Sequence, residues 1–79
     1  MIRKLDRITF NPRILRGRAC IRGMRISVSL VVNLVANGMS TEEILAEYPA
    51  LEAEDIREAL QYVSALANEE LHAFPSTAI

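Results

Sequence analysis

Seventy-nine residues make one domain at most, and a chain this short buries only about 60–65% of its unfolded surface, so its core is thin. The single Cys20 excludes an internal disulfide, no stretch reaches the ~18 apolar residues that a membrane helix needs, and the opening Met-Ile-Arg-Lys-Leu-Asp lacks the apolar run of a signal peptide; the expectation is a soluble cytoplasmic protein. The net charge of −1 conceals a segregation: residues 1–39 carry +7 (eight bases, one acid) and residues 40–79 carry −8 (one base, nine acids). Such a basic half is a footprint for an acidic partner, and the two halves also suit attraction to each other, within one molecule or between two.

Arg7-Ile8-Thr9-Phe10 has the character of a short strand, and Asn11-Pro12 suits the first two positions of a type I turn. Ala19-Cys20-Ile21 and Arg25-Ile26-Ser27 flank Arg22-Gly23-Met24, a three-residue connection that predicts a tight hairpin. From Ser27 the period changes. Ser27 caps a helix predicted over Val28 to Asn37, and Gly38 suits the left-handed position beyond it. Ser29, Asn33 and Asn37 form the one polar stripe of that helix, and the apolar remainder predicts burial nearly all round. A chain this small cannot cover such a helix alone, so a homodimer is predicted, with Ser29, Asn33 and Asn37 in its seam.

Ser40-Thr41-Glu42-Glu43 is a capping box for a second helix running to about Tyr48, with Ile44, Leu45 and Tyr48 inward and Pro49 as its stop. Leu51 and Ile56 have the spacing of a hydrophobic staple about a cap at Glu52, and Asp55 in the first turn suits the helix dipole. The third helix is predicted to bury Ile56, Leu60, Val63 and Ala67 and to reach about Leu71, with Pro75 preventing continuation. Residues 1–72 thus read as a single domain, mainly α, with an N-terminal β-hairpin followed by a three-helix, helix-turn-helix-like bundle. Residues 73–79 read as a flexible tail.

The run Cys20-Ile21-Arg22-Gly23-Met24-Arg25-Ile26-Ser27-Val28 resembles the signature of the domain-of-unknown-function family number 433, a small residue followed by Ile-Arg-Gly-x-Arg-Ile-x-Val. Arg7-Ile8-Thr9 precedes it, and Gly38-Met39-Ser40-Thr41-Glu42-Glu43-Ile44-Leu45, Tyr48-Pro49-x-Leu51 and Glu54-Asp55-Ile56-x-x-Ala59-Leu60 follow in the family's order, over roughly residues 5 to 67. The resemblance implies a homeodomain-like trihelical fold with a hairpin before the helices. It also implies an antitoxin of a type II pair that neutralises a PIN-like ribonuclease toxin, with autoregulation through promoter DNA as an added role. Ala19 stands where the family often has Pro, and Glu52 where it often has Ser or Thr, which weakens the third helix's cap by about 1 kcal/mol or less.

The amino end of the third helix carries Glu52, Glu54, Asp55 and Glu58 against Arg57 alone, so a solvated acidic face is expected there and not a major-groove reader. Arg16, Arg18, Arg22 and Arg25 lie around Gly17 and Gly23 and suit contact with phosphate or with an acidic toxin pocket. One of them, Arg25 foremost, is alternatively expected to pair with a carboxylate of the helical part. Cys20 and His72 have no second ligand at a zinc spacing; Cys20 reads as a buried thiol and His72 as a helix-end residue. No Gly-rich phosphate loop is present, so no catalytic residue, metal or cofactor is expected and the chain is not read as an enzyme. The absence of a basic residue from the tail after Ala73 places the toxin-blocking segment in the Arg-rich N-terminal third, with Phe74 and Ile79 offering only apolar contacts. The other reading is a non-enzymatic protein-interaction module that binds no nucleic acid, its charges satisfied in a self-complementary assembly.

Overall fold

The computed structural model describes residues 5–71, and the expectations for His72 and for the tail 73–79 lie outside the described residues. Two strands, β1 (Ile8–Phe10) and β2 (Ala19–Ile21), precede three helices, α1 (Val28–Ala36), α2 (Thr41–Glu47) and α3 (Ala53–Leu71). The strands pair antiparallel, with Ile8 opposite Ile21, Thr9 opposite Cys20 and Phe10 opposite Ala19. Their loop opens at Asn11, whose carbonyl accepts from the Ile14 amide at 2.9 Å and whose side-chain oxygen accepts from the Arg13 amide at 2.9 Å. It closes through three successive left-handed residues, Leu15 (φ 49°), Arg16 (φ 59°) and Gly17 (φ 83°).

The hairpin expected across Arg22-Gly23-Met24 is present only as one bridge, Cys20 opposite Ser27, because the chain enters the α1 cap directly after it. The turn is tighter than a three-residue connection. The Met24 amide donates to the Ile21 carbonyl at 2.8 Å, and the central residues Arg22 (φ 46°) and Gly23 (φ 72°) are both left-handed, as a type I′ turn requires. Thr9 ties this turn to β1: its hydroxyl accepts from the Gly23 amide at 2.8 Å.

Local chemistry sets the helix ends. The Ser27 hydroxyl accepts from the Leu30 amide at 3.0 Å. Asn37 is the terminal cap of α1, and Gly38 (φ 91°) and Met39 donate back to Val35 and Leu34 in a Schellman arrangement. Ser40 and Glu43 form the reciprocal capping box of α2, at 3.1 and 2.8 Å. At α3, Leu51 and Ile56 are both buried, as a staple should be, and Asp55 accepts from the Glu52 amide at 2.8 Å.

The core is Ile21, Val28, Val31, Ile44, Leu51, Ile56 and Ala59, with Cys20 also buried. Two expected faces need correction. Only Val28 and Val31 of α1 are fully buried; Leu30, Val32, Leu34 and Val35 are half-covered, because a thin core shields one side of the helix. The inner face of α3 centres on Asp55, Ile56 and Ala59, leaving Leu60 38% exposed and Ala67 exposed. Carboxylates that engage the hairpin turn that face inward.

Candidate interaction site

Asp55 has no solvent exposure and Glu58 is buried too, so the solvated acidic face expected at the start of α3 needs correction: these two carboxylates belong to an internal ion cluster, while Glu52 and Glu54 keep much of their side chains in solvent. Asp55 sits at the third position of α3, beside the stapled Ile56, and its carboxylate meets two arginines from the hairpin region. Arg22 approaches as a fork, with Nε 3.0 Å from Oδ1 and Nη2 2.8 Å from Oδ2. Arg7 donates Nη1 to Asp55 Oδ1 at 2.9 Å and to Glu52 Oε1 at 2.7 Å. Arg22 Nη2 also donates to the Ala50 carbonyl at 2.8 Å, and the Arg7 amide donates to Glu58 Oε1 at 3.0 Å. The left-handed turn at Arg22 and Gly23 holds the Arg22 side chain against the start of α3.

The electrostatics follow from these bonds. Burial pushes the Asp55 carboxyl upward, but the bonds from Arg22, Arg7 and the Glu52 amide together outweigh it and hold the group below the ordinary carboxylate value. Bonds to Glu52 and then to Asp55 raise Arg7, and the bond to Asp55 raises Arg22. Both arginines remain charged at any working pH, so the cluster clamps hairpin to helix wherever Asp55 is ionised.

The internal arginine is therefore Arg22, joined by Arg7, and not Arg25. Arg25 is exposed, as are Arg13, Arg16 and Arg18, and none of these four has an ion-pair partner among the described residues. Of the four arginines singled out in the sequence, three face solvent and one locks the fold. Arg16 and Arg18 line a hollow of about 240 Å³ with Leu15, at the left-handed turn between the strands. Ser29, Asn33 and Asn37 are all exposed along one side of α1, so the polar stripe is an open surface of the chain.

Sequence reasoning missed an apolar groove of about 310 Å³ between α1 and α3. Val28 and Ser29 wall it on one side, and Tyr62, Val63 and Leu66 on the other; Arg18 stands at its rim and also lines the basic hollow. Phe10 lies against Tyr62, their ring centres 6.0 Å apart and tilted at 58°, and remains 58% exposed. The pairing of Phe10 with Ala19 across β1 and β2 sets this ring beside the groove. No helix among the described residues is long and apolar enough to cross a membrane.

Comparison with known proteins agrees with the fold. The family described as "Protein of unknown function (DUF433)" matches residues 8–63. An uncharacterized protein of Sinorhizobium fredii, y4eO, is 43% identical over 58 residues, which is 73% of this chain and 26% of that protein. A DUF433 member from Anabaena variabilis, whose crystal structure is known, superposes with a TM-score of 0.72 at 35% identity, covering 80% of this chain and 62% of that one. The chain thus spans about a quarter of the first relative and under two thirds of the second. With the signature block of residues 20–28 lying inside the matched region, and with a hairpin and three helices in the expected order, this chain belongs to the DUF433 family of proteins of unknown function.

Proposed function

We propose that this chain is a non-enzymatic cytoplasmic antitoxin, and that its exposed arginines bind the acidic site of a PIN-like ribonuclease and contact promoter DNA. One observation carries the reading: Asp55, Glu52 and Glu58 engage only Arg7 and Arg22, which leaves Arg13, Arg16, Arg18 and Arg25 exposed without a carboxylate partner. Exposed surface pairs contribute little to stability, so four unpaired arginines on one third of a small domain are better explained by an external partner than by the fold. A PIN-type site gathers carboxylates around a metal ion, and a guanidinium inserted there competes with that ion. The antitoxin role itself comes from the family resemblance, and the charge partition supports the acidic partner.

The test is growth rescue. The intact chain is co-expressed with the product of the reading frame beside its gene, which the reading expects to be a PIN-like nuclease. Rescue by the intact chain, abolished by the double change Arg16→Glu and Arg18→Glu with the thermal midpoint unchanged, supports the reading. Absence of rescue by the intact chain refutes it and leaves the plain interaction module.

The same reading includes a homodimer about the charge-free stripe of Ser29, Asn33 and Asn37, since α1 remains half-covered in the single chain.

A further inference from the structure

We propose that the α1–α3 groove and the basic hollow form one docking site for a protein segment in which apolar side chains stand next to carboxylates. The proposal rests on the reading that the basic face meets an acidic protein, and it names the chemistry of the segment that the face accepts. Arg18 is the joint. It lines the apolar groove and also the hollow that it shares with Arg16 and Leu15. A segment crossing that joint presents an apolar group to Val28, Val63 and Leu66 and an acid to Arg18 and Arg16. Both guanidiniums are exposed and have no carboxylate partner among the described residues, so both can meet acids carried by the occupant.

The lining favours a polypeptide over a nucleic acid. Among the described residues Arg18 is the one charged residue lining the groove, whereas a phosphate backbone needs a run of cations along its path. The exposed aromatic pair, Phe10 and Tyr62, is tilted at 58° and packed on itself, so it offers no parallel platform for consecutive bases. Leu66, at 47% exposure, and Phe10, at 58%, instead supply the kind of apolar anchor that protein interfaces cover, with the arginines as polar rim.

The experiment selects phage-displayed random 12-residue peptides on the intact chain and measures the most enriched peptide, fluorescein-labelled, by anisotropy. The proposal expects enriched peptides with Leu, Ile or Phe within four residues of at least two Asp or Glu. Leu66→Glu and Arg18→Glu should each weaken the labelled peptide by about tenfold or more. Ser29→Glu, on the opposite wall, should do the same, which guards against a folding defect confined to Leu66; because Ser29 also belongs to the dimer stripe, it is compared with an Asn33→Glu chain, whose peptide affinity should hold. Ala46→Glu, at an exposed position of α2 outside both cavities, should change affinity by less than about twofold.

Failure to enrich, enrichment of peptides without acids, or binding indifferent to Leu66→Glu and Ser29→Glu overturns the proposal. A labelled 20-nucleotide strand that binds and is lost with Leu66→Glu overturns it in favour of nucleic acid. A dimer that Leu66→Glu converts to monomer overturns it in favour of a second copy. The growth-rescue assay separates this failure from that of the antitoxin reading. Rescue that survives Leu66→Glu but not the Arg16/Arg18 reversal removes the groove and keeps the antitoxin. Absent rescue with a selected acidic-apolar peptide does the reverse.

Discussion

Replacing Asp55 with Asn removes the one carboxylate that both hairpin arginines share, while keeping the side chain's size. Breaking a buried ion pair from one side costs about 3–5 kcal/mol, chiefly because a buried charge is left without a partner. Here the charges left behind are Arg7 and Arg22, whose side chains are 28% and 36% exposed, so water recovers part of the loss. The expected destabilisation is therefore near the lower end, about 3 kcal/mol. A domain of this size has a stability on the order of 4–12 kcal/mol, so that loss is large. It corresponds to a fall of about 12–24 °C in the thermal midpoint, read by circular dichroism.

The same variant tests the electrostatic cause. Asp55 is held below its ordinary value of 3.8, so its contribution is fully present above that value and is lost as the pH falls through the lower folded-state value. The gap between wild type and Asp55→Asn should be constant from pH 7 to about 5 and should narrow below about pH 4. A gap under about 1 kcal/mol at pH 7, or one unchanged down to pH 2, would refute the assignment of a charged clamp.

Ser40→Ala removes the hydroxyl that accepts from the Glu43 amide and should cost about 1 kcal/mol in urea unfolding, with an unchanged denaturant slope. Gly38→Ala forces a side chain into φ 91°, where no atom lies within 4 Å of the added carbon, so its loss of about 1 kcal/mol is backbone strain alone and Gly38→Asn should lose less. Light scattering should give about twice the 8.8 kDa chain mass at micromolar concentration, and Asn33→Glu, which places a carboxylate in the proposed seam, should return the monomer; a clean wild-type monomer at high concentration contradicts the dimer.

What the sequence made legible was local. Ser27, Gly38 and the Ser40–Glu43 box are read over three or four residues, and the structure places each cap as expected. The choice of inner face on α3 was not local. An apolar count favours Leu60 and Ala67, but the face that turns inward is the one whose carboxylates meet cations 33 and 48 residues away in the chain. The same separation explains why the sequence points to Arg25 while the fold uses Arg22. Only the left-handed turn at Arg22 and Gly23 orients the correct side chain, and a turn type is not visible in a charge count. One sequence signal points there: Asp55 directly precedes the staple residue Ile56 and stands four residues from both Leu51 and Ala59, all of which are buried. A carboxylate at such a position needs a cationic partner within the fold. The groove was illegible because its walls come from α1 and α3 and its rim from the strand loop, elements whose relative placement no single segment encodes.

The most direct test of the account is a parallel set of thermal midpoints for the single changes Arg7→Gln, Arg22→Gln, Arg16→Gln, Arg18→Gln and Arg25→Gln. If the arginines divide into a structural pair and a partner-facing set, the first two variants lose stability, because each withdraws a donor from the fully buried Asp55. The other three then remain within about 2 °C of wild type, as exposed sites without ion pairs should. Midpoints that fall for Arg16, Arg18 or Arg25 and hold for Arg7 and Arg22 would contradict the division and, with it, the case for an external acidic partner.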